Sequence, residues 1–189
     1  MARPRSRGNR GASTSDPAVE AVPGEQPIGT RFQMRQRLFA FGNDFDIEND
    51  RGERVFHVDG KPLRLRATLL FQDMQGNEIY RVQEKLLRVR DTMRIYRGKV
   101  VVAQVHNALF TPLRDRFRIE IPGGQDMTTH GNILYHEYTI ERNGETLARV
   151  SKRWFRVRDT YGVEVAQSEE ALLILAITVV IDTMSHEGR

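Results

Sequence analysis

Eleven consecutive residues near the C-terminus, Ala171 to Ile181, read A-L-L-I-L-A-I-T-V-V-I, broken only by Thr178 and closed by Asp182. A helix on a protein surface carries its apolar residues on one stripe. This run is apolar on every side, so protein or lipid must surround it completely. As a helix it is about 16 Å long, roughly half of the ~30 Å hydrocarbon core that a membrane span has to cross. Protein is therefore the expected surrounding. Ile174, Ile177, Val179, Val180 and Ile181 are β-branched and also suit a strand, and periodicity cannot separate the two for a wholly apolar run. Length and the start of the segment favour the helix: Ser168 is a suitable N-cap, and Glu169 and Glu170 stand where the helix dipole favours negative charge. The expectation is a core helix at about 168–185, with the preceding strands wrapped around it.

Those strands are written in period two. Phe32, Met34, Gln36 and Leu38 form one face of the first, which ends at Phe41-Gly42-Asn43, and Phe45 and Ile47 belong to the next. Asn49-Asp50-Arg51-Gly52 turns the chain into Val55-Phe56-His57-Val58, and Leu63, Leu65, Ala67 and Leu69 then alternate with Arg64, Arg66 and Thr68. Further turns fall at Gln75-Gly76-Asn77, Arg97-Gly98-Lys99, Pro122-Gly123-Gly124 and Asn143-Gly144-Glu145. Short strands separated by such turns indicate an antiparallel barrel or sandwich, mainly β, with no helical pattern before residue 168.

An internal repeat sharpens this. Gly76–Thr92 and Gly144–Thr160 are identical at eight of seventeen positions, and both copies end in R-V-R-D-T. Each copy reads as turn, strand, corner, strand, which suggests a pseudo-symmetric sheet that is closed or nearly so. Within the first copy Leu87, Val89, Met93 and Ile95 share one face and Arg88, Arg90 and Arg94 the other; in the second, Phe155, Val157, Tyr161 and Val163 oppose Arg156 and Arg158. Asp91 and Asp159 fall on the apolar parity. Two inward carboxylates would cost several kcal/mol unless well paired, and a bulge at Asp-Thr that turns them aside is the favoured reading.

Residues 1–30 contain four prolines, four glycines and no aromatic residue, so they are read as a disordered basic tail carrying Arg3, Arg5, Arg7 and Arg10. Such an Arg- and Ser-rich start also resembles an organelle transit peptide, whereas no apolar run follows it to make a secretory signal. Residues 31–189 are the folded domain. With 39% apolar and 29% charged residues the chain has the composition of a globular protein, and its net charge of +4 permits anionic partners without demanding one. The absence of cysteine removes disulfides, thiolate metal sites and thiol nucleophiles, and suits the cytoplasm.

Several segments together resemble the LURP-one-related proteins: Arg35-Gln36-Arg37-Leu38-Phe39, the Phe45-Asp46-Ile47 hairpin to Gly52, Val55-Phe56-His57-Val58-Asp59-Gly60-Lys61, and the terminal Glu170 to Asp182 run. The resemblance extends from about Arg31 to Met184 and rests on a chain-long pattern. These proteins are grouped with the tubby C-terminal-like folds and the phospholipid scramblases. The resemblance implies a roughly twelve-stranded antiparallel barrel with a hydrophobic C-terminal helix threaded through its centre. Tubby-type relatives bind phosphoinositides and scramblase-type relatives act at membranes, but this chain lacks the cysteine-rich tract and added membrane segment associated with scramblases.

No catalytic or metal motif competes with that reading. Asp44-x-Asp46-x-Glu48-x-Asp50 imitates calcium ligands, yet counted from Asp46 an EF-hand would need Gly and Glu where Arg51 and His57 stand. The run fits the polar face of a hairpin. His136-Glu137-Tyr138-Thr139 lacks the second histidine of a zinc helix and reads as a strand, and no serine sits in a nucleophile elbow. What remains is the basic lattice of Arg88, Arg90, Arg94, Arg97 and Lys99 in one copy and Lys152, Arg153, Arg156 and Arg158 in the other, which the repeat could bring near one another. Its plainer reading is a solvated strand face balanced by Glu78, Glu84, Asp115 and Glu164; its functional one is a surface for phosphate head groups. Nucleic acid ranks below lipid because no aromatic residues interleave with the arginines. The expectation is a monomeric, non-enzymatic binding or adaptor module, cytoplasmic or peripheral at a membrane. Anionic phospholipid held by Arg88, Arg90, Arg94, Arg156 and Arg158 is the favoured partner, a protein is the other, and no cofactor, metal or transmembrane span is expected. The competing class is an enzyme using Asp91 and Asp159 as an acid/base pair.

Overall fold

The computed structural model describes residues 26–35, 44–61, 68–84, 92–107, 117–154, 160–167 and 169–187. Within them twelve strands precede one helix: β1 (Gly29–Arg35), β2 (Phe45–Asn49), β3 (Arg54–Lys61), β4 (Thr68–Gln72), β5 (Glu78–Glu84), β6 (Thr92–Arg97), β7 (Val100–Asn107), β8 (Phe117–Glu120), β9 (Met127–Asn132), β10 (Glu137–Arg142), β11 (Glu145–Ser151), β12 (Thr160–Ala166) and α1 (Ala171–Glu187). The segment expected to be a disordered tail lies outside the described residues up to position 25.

Each strand pairs antiparallel with the next, and β1 pairs with β12 from Gly29↔Ala166 to Arg35↔Thr160, which closes the ring. Closure leaves no edge strand exposed to other chains. At the seam the two backbones approach so closely that a Cβ on Gly29 would lie 1.8 Å from the Val165 carbonyl oxygen. Hairpin turns follow the local chemistry read from the sequence: Asn143 and Gly144, at φ 50° and 82°, make the two-residue left-handed turn between β10 and β11.

Strand alternation sends Phe32 and Met34 of β1, Phe45 and Ile47 of β2, Tyr80 and Val82 of β5 and their counterparts around the ring into one core. In its middle is α1. From Ile174 to Ile181 no residue is more than 1% exposed, because every side of this helix faces barrel wall. Helical geometry begins at Ala171, since the Glu170 carbonyl accepts the N–H groups of Leu173 and Ile174. The expected N-cap, Ser168, lies outside the described residues. At the other end the helix runs to Glu187, two residues beyond the expected 185, with Asp182 buried inside it. It is 17 residues long, and no helix among the described residues is long and apolar enough to cross a membrane.

The repeat is visible in the ring. Its copies are β5–β6 and β11–β12, six strands apart in a ring of twelve, and Val82/Val150 and Ile95/Val163 occupy equivalent core positions. Because neighbours alternate in direction, both pairs point the same way along the barrel from opposite walls.

Leu175→Arg should abolish cooperative folding, since it places an unpaired charge at a position with no access to water. Leu175→Ala should cost about 2–5 kcal/mol. A chain ending at Gln167 should likewise fail to fold; a soluble, cooperatively melting truncated monomer would contradict the enclosed helix.

Candidate functional site

Of the arginines marked by the repeat, Arg94 is on β6 and points outward between Met93 and Ile95, its Nε donating to Gln104 Oε1 of β7 at 2.9 Å. Arg88, Arg90, Arg156 and Arg158 lie outside the described residues, as do Asp91 and Asp159. The flanking strands stand on opposite walls, so they do not bring the two copies side by side. Arg97, expected in the basic lattice, is engaged elsewhere: its guanidinium lies 4.9 Å from the Tyr80 ring centroid and donates to both the Tyr80 hydroxyl and the Glu170 carboxylate.

That contact belongs to the fastening of α1. At the rim where the helix enters, Glu170 accepts from Arg97 and from the Tyr80 hydroxyl, and Glu169 accepts both Nη groups of Arg142 at 2.9 and 3.2 Å. Burial, reinforced by Glu170, pushes the Tyr80 phenol well above its ordinary range. Near the opposite rim Asp182 meets His136, with Nε2 and Oδ1 2.5 Å apart. His136 was expected within a strand; it stands instead in the β9–β10 turn with φ 53°, fully buried, its ring 4.3 Å from that of Tyr161. Thr178, the sole polar residue of the apolar run, donates to the Ile174 carbonyl and meets the Tyr138 hydroxyl. Burial first, and the nearby Asp182 carboxylate second, hold Tyr138 and Tyr161 protonated far above the usual phenol range.

On the outer surface the register builds a polar row across five strands: His130, Thr139, Arg149, Glu164 and Arg31. Glu164 is wholly buried. Its Oε1 accepts from Arg31 Nε at 3.0 Å, whereas Arg149 Nη1 is 3.7 Å from Oε2 and donates to the Gln26 carbonyl at 2.9 Å. Arg31 also lies over Trp154, 4.7 Å from the ring centroid. Beside this row is a cleft of about 360 Å³ bounded by His130, Glu137, Thr139, Arg149, Ser151, Arg153 and Trp154 among others. Glu137 accepts from Ser151 Oγ and the Lys152 N–H, and Arg153 Nε is 3.6 Å away.

A second cleft of about 350 Å³ lies outside β2–β4, around Asp46, Arg54, His57 and Asp73. The carboxylates read as a hairpin face are engaged locally: Asp46 with His57 Nδ1 at 2.7 Å and Arg54 at 3.2 Å, and Asp44 with the Gly60 N–H at 3.0 Å. Asp73 closes its own turn by accepting from Asn77, which holds its carboxyl below the usual range. Four histidines each face one carboxylate, His57–Asp46, His106–Glu120, His130–Glu141 and His136–Asp182, at separate places on the barrel. Among the described residues no three metal-ligating side chains gather.

The family model described as LURP-one-related matches residues 30–182, the stretch that runs from β1 into α1. The chain is 26% identical over 153 residues to the uncharacterized protein YxjI of Bacillus subtilis (strain 168), an alignment covering 81% of this chain and 92% of that one. An X-ray structure of a protein from Arabidopsis thaliana superposes with a TM-score of 0.62 at 13% identity, covering 84% of this chain and 94% of the other. That likeness shows a shared fold.

The two buried tyrosines give the protein an alkaline limit. Unfolded, they release protons near the ordinary pKa of about 10, while folded they keep them, so their contribution to stability is complete below that pH and declines as pH rises above it. Urea midpoints should therefore fall above about pH 10, and Tyr161→Phe should make that fall shallower. Identical pH profiles for the variant and the parent would contradict the burial of this hydroxyl beside Asp182.

Proposed function

We propose a non-catalytic binding role for this protein, which belongs to the LURP-one-related family. Its ligand face is the outside of the barrel, its ligand class is the anionic phospholipid head group, and its place is the surface of a membrane. The observation that carries this reading is the position of α1. Among the described residues the barrel axis is filled by side chains with no exposure, which leaves little interior room for a substrate and favours the outer wall for binding. An acid/base pair of Asp91 and Asp159 would need a pocket that solvent can reach, and both residues lie outside the described ones.

Positive charge supports the choice of ligand. The chain carries 29 Lys and Arg against 25 Asp and Glu, and the repeat concentrates arginines at alternate positions of R-V-R-D-T. Near an anionic bilayer each Lys or Arg contributes about 1 kcal/mol, and the attraction decays over about 8 Å at physiological ionic strength. Weak, salt-sensitive association without insertion follows.

Vesicle sedimentation tests it. The full chain, with Arg3, Arg5, Arg7 and Arg10 replaced by serine to silence the N-terminal segment, should partition onto phosphatidylserine-containing vesicles and not onto pure phosphatidylcholine. Adding Arg88→Ser, Arg90→Ser, Arg156→Ser and Arg158→Ser should weaken partitioning by at least about tenfold. Equal partitioning of the two proteins would reduce those arginines to a solvated barrel face.

A further inference from the structure

Building on the anion-binding reading of the outer wall, we propose that the cleft beside Trp154 is a phosphate-binding site whose cationic ligands are Arg149 and Arg153. The first argument is an imbalance of charge. Two arginines, Arg31 and Arg149, flank the single buried carboxylate of Glu164 in directly opposed register. Arg31 donates to Oε1 at 3.0 Å, while the buried Oε2 has no hydrogen-bond partner among the described residues: Arg149 stays 3.7 Å from it and donates to the Gln26 carbonyl. One carboxylate thus stands between two guanidinium groups, and Arg149, which lines the cleft, is not held to it by a hydrogen bond.

Arg153 adds a second cation. Its side chain is 71% exposed, and among the described residues its ion-pair partner is Glu137, at 3.6 Å. Among the described lining residues Glu137 is the one carboxylate, and both its oxygens accept from Ser151, one of them also from the Lys152 N–H. Arg153 therefore keeps most of its five N–H donors for an incoming acceptor. Among its described lining residues the cleft sets two guanidinium groups against one carboxylate, which suits an oxyanion better than a cation. Guanidinium groups grip phosphate through paired N–H bonds, and charge-assisted bonds of this kind are about twice as strong as neutral ones.

Trp154 supplies the third argument. It lines the cleft almost fully buried, Arg31 covers its ring, and among the described residues its indole N–H has no hydrogen-bond partner. A rigid apolar wall next to two arginines is a setting for the glycerol or carbon end of a phosphate monoester. The volume, about 360 Å³, is at the small end of ligand pockets and admits a head group but not an acyl chain. The cleft outside β2–β4 offers no comparable surplus, since its one arginine is already paired with Asp46.

Trp154 is the only tryptophan of the chain, so its fluorescence reports this cleft directly. The full-length protein is titrated with glycerol 3-phosphate at constant ionic strength, and in parallel with phosphatidylcholine vesicles with and without phosphatidic acid. Saturable change with both the soluble phosphate and the acidic vesicles, with half-saturation raised at least about tenfold in Arg153→Gln and in Arg149→Gln, is the expected result. Arg153→Gln is the decisive variant, because its exposed side chain can be lost with the melting temperature unchanged, whereas Arg149→Gln also alters the neighbourhood of Glu164. A response to glycerol 3-phosphate but not to vesicles would uphold the site and overturn the lipid reading. Vesicle sedimentation without any fluorescence change, and unaltered in Arg153→Gln, would overturn the site and leave the lipid reading standing. No response in either arm would overturn both.

Discussion

A helix without a polar stripe has no stable place in water, and between Leu172 and Ile181 α1 offers none. Leaving it exposed would forfeit roughly 1.5–3 kcal/mol for each large side chain, a total that exceeds the net stability of most domains. The barrel is the answer to that constraint. Twelve strands with alternating side chains can place one apolar face inward all the way round, and only a closed ring surrounds a cylinder completely. The requirement is mutual: a ring this wide, left empty, would be a cavity that collapses or floods.

An apolar helix in an apolar tube could slide or rotate, since hydrophobic contact is not directional. The polar contacts at its two ends define its position. Arg142 and Arg97 hold Glu169 and Glu170 at the entrance, and His136 holds Asp182 near the exit, twelve residues on from Glu170. Of these contacts His136–Asp182 is the buried one, and leaving one of its polar partners without the other in the core is costly, so it penalises a misplaced register, while the Arg97–Glu170 pair at the rim is half exposed. The left-handed conformation of His136 belongs to the same device, because the turn has to aim the imidazole inward.

How much of this could be read from the chain depends on the range of the interaction. Alternation at Phe32/Met34 or Met93/Ile95, the Asn143-Gly144 turn and the all-round apolar run are local signals, and each has its expected role. So does the repeat, whose copies became equivalent strand pairs. The pairing of Glu164 with Arg31 is different: the two residues are 133 positions apart and meet only because β1 closes onto β12. Asp182 marks only the end of the apolar run in the sequence for the same reason, since nothing near it announces a histidine 46 residues earlier. Arg97 reads as part of a basic face because strand parity says which way a side chain points but not what it meets there. The cleft beside Trp154 likewise depends on the alignment of β9, β10, β11, β12 and β1, which no local motif records. Arg88, Arg90, Asp91, Arg156, Arg158 and Asp159, on which the sequence placed most functional weight, lie outside the described residues.

Native-state hydrogen exchange of α1 tests the enclosed helix most directly. A helix surrounded by a closed ring cannot open by itself, so the amides from Leu175 to Ile181 should exchange only through global unfolding. Their exchange free energies should equal those of the most protected strand amides and fall with denaturant at the same slope. Exchange of these amides at a lower free energy, while the strands keep their protection, would mean that α1 leaves the barrel without unfolding it, and would contradict a fold built around this helix.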